Sequence, residues 1–161
     1  MNVVCDASTL IALARIGQLG VLAQIGARVV IPVAVYEEVV VKGVGKPGAD
    51  EVREASWIET REVSARAVVA GFRMALDTGE SEAIALAKEV DADLIILDDE
   101  KARSAALSEG LSVVGLLAFL VLAKERGIIS HVRPLVDALR QQGFFISDNL
   151  YQDILRRAGE L

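Results

Sequence analysis

The stretch Leu94-Ile95-Ile96-Leu97-Asp98-Asp99 joins a run of four apolar residues to a pair of acids. Val3-Val4-Cys5-Asp6, near the start of the chain, has the same form. Short continuous apolar runs are typical of strands buried on both faces, as in a parallel sheet covered by helices. Ligands of open α/β sheets lie in the crevice beyond the carboxyl ends of the strands. The two stretches therefore predict that Asp6, Asp98 and Asp99 face one another across that crevice.

Acidic side chains gathered at one edge of a sheet have a chemical consequence. Several carboxylates are costly to hold together unless a cation compensates their charge. A site that offers oxygen ligands alone favours Mg²⁺ or Mn²⁺. Such cations lower the pKa of water and orient phosphate groups for hydrolysis. The sequence therefore predicts metal-dependent phosphate chemistry.

The remaining segments alternate between strand and helix patterns. Further strands are predicted at residues 28–31 and 112–114. Helices are predicted after Ser8 and Pro32 and over residues 21–25, 50–55, 65–76, 79–90, 101–109, 116–126, 133–142 and 150–158. This alternation predicts an α/β fold with a central parallel sheet and helices on both faces. We expect a single domain over residues 1–161, with a C-terminal helical extension from about residue 133.

The composition predicts a globular protein of the cytoplasm. The 161 residues are 53% hydrophobic and 25% charged, a balance that disordered chains do not have. No apolar stretch approaches the roughly 20 uncharged residues of a membrane span. The single cysteine, Cys5, excludes an internal disulfide and is expected to pack in the first strand.

The overall charge narrows the choice of partners. A net charge of −6 and a pI of about 4.9 argue against a general nucleic-acid binder, which needs a basic surface. An enzyme with a local acidic site and local basic residues stays compatible with this charge. Lys101 and Arg103 directly follow the acid pair and are placed to contact phosphate, although a solvated helix start explains them equally well.

Glu80 is a further candidate ligand, on the helix predicted over residues 79–90. A period of 3.6 residues places it on the apolar face of that helix. Glu82 falls on the opposite face and is expected to be a surface charge. A second interpretation of Glu80 is a capping box, since Asp77 lies three residues before it. The pattern leaves both interpretations open.

Two adjacent acids, Glu37 and Glu38, lie in the helix predicted after Pro32. Helical periodicity places Glu38 nearer the polar side of this helix and Glu37 on its flank. Neither has the position of a convincing ligand by spacing alone. Favourable charge near a helix N-terminus explains both.

The order of these segments resembles PIN-domain proteins, in particular the small prokaryotic branch related to VapC-type toxins. The matching stretches are VCDASTLI (4–11), IPVAVYEEV (31–39), GESEAIALA (79–87), LIILDD (94–99) and the tail GFFISD (143–148). Each motif alone is weak, whereas four in the same order with acids at corresponding positions are fairly specific. The resemblance covers nearly the whole chain.

This resemblance implies a Rossmann-like three-layer α/β/α PIN fold around a central parallel sheet. It also implies hydrolysis of single-stranded or structured RNA at a Mg²⁺ or Mn²⁺ site, and thus an endoribonuclease. Carried over by position, the metal ligands are Asp6, Glu38, Glu80, Asp98 and Asp99. Ser8 matches a small hydroxyl residue that supports either the first aspartate or a metal-bound water. The resemblance selects Glu38 over Glu37, against the periodicity.

The resembled branch further implies the toxin of a toxin–antitoxin pair, with a small antitoxin protein as partner and a homodimer. Residues 111–123 and the tail from Phe144 to Leu155 carry more apolar surface than one small sheet is expected to cover, which favours partial use as an interface. The alternative is that the tail packs back onto its own sheet. One position departs from the branch, because Leu116 follows Gly115 where threonine is usual. A weakly active or inactive PIN-fold binding module, which docks an antitoxin or another protein, is therefore the second interpretation.

Two other protein classes that cluster acids at strand ends fit less well. A phosphotransfer receiver domain needs its acid pair after the first strand, whereas here the pair is Asp98-Asp99. A phosphatase of the Asp-x-Asp type needs an acid at position 8, where this chain has Ser8.

Overall fold

A parallel sheet lies at the centre of the structure, a computed structural model that describes residues 1–26 and 28–161. Within these residues the chain forms five strands, which are β1 (Asn2–Cys5), β2 (Arg28–Pro32), β3 (Ile58–Arg61), β4 (Leu94–Ile96) and β5 (Val113–Val114). The strand order is β3-β2-β1-β4-β5, and every neighbouring pair is parallel. The chain therefore extends the sheet from β1 to one side and then returns to the other side at β4.

Helices cover both faces of this sheet. In the same described residues they are α1 (Ala7–Arg15), α2 (Gly20–Ile25), α3 (Val33–Tyr36), α4 (Ala49–Glu54), α5 (Arg66–Phe72), α6 (Thr78–Glu89), α7 (Glu100–Ser108), α8 (Leu116–Glu125), α9 (Arg133–Gln141) and α10 (Asp148–Arg157). Alternate residues of β1 face opposite layers, since Val3 and Cys5 pack with α1 and α8 while Val4 packs with α6. The predicted three-layer α/β/α fold is confirmed. None of the helices in the described residues is long and apolar enough to cross a membrane.

The helix predicted after Pro32 differs most from expectation. Pro32 is the last residue of β2, and α3 begins at the following residue. After one α-helical turn the chain widens into a π-helical segment, Glu37–Val41, in which the N–H of Lys42 donates to the carbonyl of Glu37 at 2.8 Å. A π-type bond spans five residues rather than four, so it rotates the side chains that follow relative to an α-helical pattern.

The carboxyl ends of β1 and β4 form the switch point of the sheet. The connection after β1 leads to β2 on one side, and the connection after β4 leads to β5 on the other. Open α/β sheets bind ligands in the crevice at such a point. The N–H of Asp6 donates to the carbonyl of Ile96 at 3.1 Å, so the pairing of the two strands continues up to the first acid.

The C-terminal tail packs back onto its own chain more fully than the sequence predicts. Ile154 and Leu155 of α10 are buried, and α10 lies against α8. Glu160 accepts hydrogen bonds from the N–H groups of Val132 at 2.7 Å and Arg133 at 2.9 Å, which fastens the chain end to α9. The apolar surface that the tail leaves exposed is therefore smaller than expected.

Gly43, which follows the π-helical segment, is predicted to be required for it. A Cβ at this position would lie 2.2 Å from the carbonyl oxygen of Val39, so the backbone would have to shift. We expect Gly43→Ala to lower the free energy of unfolding by about 1–3 kcal/mol in urea denaturation. Gly20→Ala is the matched control, because a Cβ at Gly20 would meet nothing within 4 Å. Equal stability of the two variants would contradict this assignment.

Candidate functional site

Asp6 connects the two strands that border the switch point. It is the N-cap of α1, where its Oδ1 accepts a hydrogen bond from the N–H of Thr9 at 2.9 Å. Its Oδ2 accepts another from the N–H of Asp98, just beyond β4, at 2.8 Å. Asp6 is only 4% exposed. The two bonds fix its orientation and leave further lone pairs on both oxygens free to accept.

Three other acidic residues converge on Asp6. Glu38 comes from the π-helical segment, Asp77 from the N-cap of α6, and Glu80 from the first turn of that helix. These four side chains line a cavity of about 20 Å³, which we call the acidic hollow. Gly79 forms part of its wall, and a Cβ there would lie 3.6 Å from both Asp77 Oδ1 and Glu38 Oε1. The hollow has room for about one water molecule or one ion.

Glu38, rather than Glu37, reaches the acidic hollow. Helical periodicity placed Glu38 nearer the polar side of its helix, and both glutamates are indeed exposed, so exposure alone does not distinguish them. Glu38 lies in the π-helical segment and lines the hollow, whereas Glu37 lies outside the lining.

Glu80 takes part in both structures that the sequence left open. Its N–H donates to Asp77 Oδ1 at 2.8 Å, and its Oε1 accepts from the N–H of Asp77 at 3.2 Å, so the capping box exists. Both carboxylates also line the acidic hollow. Sequence reasoning treated Asp77 as a cap alone and did not include it among the site residues. The available signal was its capping box with a candidate ligand, which requires the two side chains to be neighbours.

The expectation that Glu82 is a surface charge is wrong. Glu82 is 6% exposed, its Oε1 accepts from the N–H of Ala34 at 3.1 Å, and its Oε2 accepts from Arg66 Nη2 at 3.1 Å. The reason is that α6 contacts both the sheet and α3, and its residues 81–87 are all buried. A helix covered on several sides has no polar face for periodicity to find.

The other predicted residues lie at the rim. Asp98 is half-buried and lines two grooves beside the acidic hollow rather than the hollow itself. Asp99 is the N-cap of α7, where its Oδ2 accepts from the N–H of Ala102 at 3.0 Å. Ser8 is exposed and lines both the hollow and one of the grooves. The three residues therefore border the hollow without filling it.

The environment of the acidic hollow raises the pKa of Glu80. Burial raises the pKa of Glu80 to about 7, and the negative charges of Asp77, Asp99 and Asp6 contribute to the rise. The hydrogen bond from the N–H of Asp77 opposes it only in part. A carboxyl group of this kind keeps its proton in the metal-free protein under nearly neutral conditions.

Asp6, Glu38 and Asp98 are shifted in the same direction. Burial raises the pKa of all three, and repulsion from neighbouring carboxylates adds to the rise. Lys42 and Arg103 offset only part of it. Within the described residues, none of the three acids forms an ion pair. The site thus has an excess of negative charge that a bound cation would relieve.

The acidic hollow fits a hard divalent cation in charge, in size and in donor chemistry. Mg²⁺ usually keeps several waters and is bound directly by only one or two carboxylates. In residues 1–26 and 28–161 no three Asp, Glu, His or Cys side chains are arranged to hold a metal ion together. Asp6 with Glu38, Asp77 or Glu80 would contact the cation, and the others would act through water.

A comparison with protein families agrees with this architecture. Residues 2–160 match the family model DUF3368, described as a PIN domain. The match spans almost the entire chain and includes all the acids of the hollow and its rim. No protein of curated function matches the sequence.

Glu82 is predicted to contribute to stability, in contrast to Glu80 on the same helix. Glu82→Gln removes the ionic bond to Arg66, so we expect the free energy of unfolding to fall by about 1–3 kcal/mol. Glu80→Gln keeps a residue suited to a capping box and cannot become negatively charged, so at a pH above about 7 its stability in EDTA should equal or exceed that of wild type. Denaturation of both variants tests this, and a fully stable Glu82→Gln would contradict the structural role.

The metal-free protein is predicted to lose stability as the pH rises from 5 to 7.5. Unfolded Glu80 releases its proton near the ordinary pKa of 4.5, whereas the folded protein holds it up to about 7. The folded state therefore binds more protons in this interval, and its advantage disappears as the pH passes 7. Melting temperatures in EDTA should fall over this range in wild type and fall less in Glu80→Gln. Parallel curves for the two proteins would show that Glu80 is not the titrating group.

Proposed function

The chain belongs to the PIN-domain family, and from this premise we propose that it is a Mg²⁺- or Mn²⁺-dependent endoribonuclease. The observation that carries the proposal is the acidic hollow at the switch point of the sheet. Three separate segments of the chain bring Asp6, Glu38, Asp77 and Glu80 together there, at the cost of mutual repulsion. An arrangement that is unfavourable for the fold alone is understandable if it binds a cation.

Each acidic residue has a distinct part in this proposal. The N–H groups of Thr9 and Asp98 hold the carboxylate of Asp6 in place, and Glu38 and Glu80 would help to hold a cation from two helical segments. A bound Mg²⁺ or Mn²⁺ would supply activation of water and stabilisation of charge on the phosphate. The carboxylates hold the cation, and one of them accepts the proton that the attacking water loses.

Asp98, Asp99 and Ser8, at the rim of the hollow, are placed where the RNA substrate would approach the metal site in this proposal. Asp98 and Asp99 add negative charge next to the hollow, and the hydroxyl of Ser8 lies between the hollow and a neighbouring groove. We infer that Ser8 holds a water molecule or a phosphate oxygen between the two.

The sequence motifs extend the proposal to a biological role. They resemble the toxin branch of PIN proteins, so we propose that the chain is the toxin of a toxin–antitoxin pair, with a small antitoxin as partner and a homodimer as its free form. A cytoplasmic location accords with this role. Growth arrest on expression, relieved by a short open reading frame adjacent to the gene, is the expected genetic result.

A binding module without strong activity is the second candidate. It is favoured by Leu116, which is buried and apolar at the edge of the site, and by the lack of three preassembled ligands in the described residues. This candidate predicts no metal-dependent RNA cleavage in any sequence context, whereas the nuclease proposal predicts it.

Mn²⁺ is predicted to stabilise the wild-type protein through the acidic hollow. At a concentration about 100 times the dissociation constant, a cation that binds only the folded state adds about 2.7 kcal/mol, or roughly 5–10 °C in melting temperature. Asp6→Asn and Glu38→Gln should each show a much smaller rise. Glu38→Gln guards against a folding defect of Asp6→Asn, since Asp6 anchors the backbone of Thr9 and Asp98.

An RNA cleavage assay on the same proteins is the second measurement that tests the proposed site. Wild type with Mn²⁺ should cut RNA, and both variants should be slower by at least the roughly 10–100-fold that disturbing a metal site usually costs. Glu37→Gln is the matched control, because Glu37 is exposed beside Glu38 and outside the hollow. An equal Mn²⁺ shift in wild type and both variants would refute the site.

A further inference from the structure

A second surface of chemical interest begins at Asp98 and runs along the C-terminal tail. It is a groove of about 600 Å³, which we call the tail groove. Its principal lining residues are Asp98, Arg103, Leu117, Phe145, Leu150 and Arg157. The volume is within the range of small-molecule sites and suits one or two nucleotides. Because Asp98 borders the acidic hollow, the tail groove lies next to the proposed site of cleavage.

Phe145 presents an aromatic ring to this groove. The residue is 88% exposed, although its neighbour Ile146 is buried. The carbonyl of Ile146 accepts from Arg140 Nη2 at 2.8 Å, and Ser147 caps α10 by accepting from the N–H of Leu150 at 3.1 Å. The backbone on one side of the ring is thus held firmly while the ring itself faces solvent. An exposed ring on an anchored segment is suited to stacking with a planar ligand.

Positive charge accompanies the ring. Arg103 donates through Nη1 to the carbonyls of Leu97 and Asp98, which holds its guanidinium at the end of the groove nearest the acidic hollow. Arg157 lines the groove beside α10 and, among the described residues, forms neither an ion pair nor a side-chain hydrogen bond. The groove thus holds two arginines and one carboxylate, Asp98, which lies near Arg103. The charge of the arginines complements phosphate groups.

We propose that the tail groove binds single-stranded RNA beside the scissile phosphate, with a base stacked on Phe145 and backbone phosphates held by Arg103 and Arg157. The inference rests on the proposed function and adds to it the location of the substrate. Stacking on an aromatic ring within a basic groove is how proteins bind single strands without regard to sequence. In single-stranded RNA the bases are unpaired and can therefore stack on an aromatic side chain of the protein.

The exposed apolar surface favours RNA over a protein partner. Ile154 and Leu155 are covered by the chain itself, so Phe145 and Leu150 are the large apolar residues that the tail groove leaves exposed. A stable dimer buries about 800 Å² on each partner, and a docked helix needs several apolar anchors one turn apart. Phe144 also lines the groove but is half-buried, so the exposed apolar surface is small for a protein and appropriate for a nucleotide.

The experiment measures binding separately from cleavage. A fluorescently labelled single-stranded RNA of eight nucleotides is titrated with the full chain in EDTA over a series of salt concentrations. Phe145→Ala should weaken binding about 5- to 100-fold with an unchanged salt dependence, and Phe145→Leu should behave like it, because leucine is apolar but not planar. Phe145→Trp should retain binding. Arg157→Gln should reduce the slope of log K against log salt by about 0.7, the value for one phosphate contact with a single strand.

Two exposed residues away from the groove provide controls. Met74 follows α5 and is 90% exposed, and Arg126 follows α8 at the end opposite the groove. Met74→Ala and Arg126→Gln should bind the RNA as wild type does.

The possible outcomes separate this inference from the proposed function. If wild type does not bind the RNA, or if Phe145→Ala binds it equally well, the tail groove is not the RNA site. If Phe145→Ala and Phe145→Leu differ and light scattering shows that only the alanine variant loses a dimer, the ring belongs to an interface between copies, and the proposal is overturned. Metal-dependent cleavage that is unaffected by these changes would leave the nuclease standing without this subsite. Binding that depends on Phe145 without any cleavage would support the subsite and refute the nuclease.

Discussion

The two hydrogen bonds accepted by Asp6 are the constraint on which the site depends. They join the start of α1 to the end of β4, and they lie where the parallel sheet reverses its direction of growth. A carboxylate buried at a strand end would be expensive without donors, and two backbone N–H groups provide them. Since the remaining lone pairs point away from the backbone, one residue both closes the edge of the sheet and offers oxygen to the acidic hollow. The structural and chemical roles of Asp6 are therefore inseparable.

Helix α6 supplies the second element of the site, and it does so through two glutamates that look alike in the sequence. Glu80 and Asp77 cap the helix and line the hollow with the same carboxylates. Glu82, two residues later, extends to the N–H of Ala34 in α3. Pro32, the N-cap of α3, has no side-chain acceptor of its own, so a residue from a different helix performs the capping. Glu82 thereby supports the helical segment that carries Glu38.

The sequence predicted the location of the buried strands correctly. It was less successful in assigning individual acidic residues on the helices. β1 and β4 were recognisable because strands buried on both faces are continuous apolar runs, and the acids that follow them needed no periodicity to be located. Spacing gave no reason to prefer Glu38 over Glu37, because both are exposed on the same short helical segment, and the family resemblance alone selected Glu38. Glu82 was misassigned because its partners, Ala34 and Arg66, are distant in the sequence. No pattern along α6 reveals a neighbour that only the fold creates.

The hydrogen bond from Ala34 to Glu82 connects two of the segments that form the acidic hollow. Glu38 and Glu80 stand on different segments, yet these segments are connected by a buried charge only two residues from Glu80. A movement of α3 away from α6 would break the hydrogen bond from Ala34 to that carboxylate, and the segment with Glu38 follows α3 directly in the chain. This hydrogen bond therefore couples the two helical walls of the hollow, so a change that weakens it is expected to disturb the positions of Glu38 and Glu80 together.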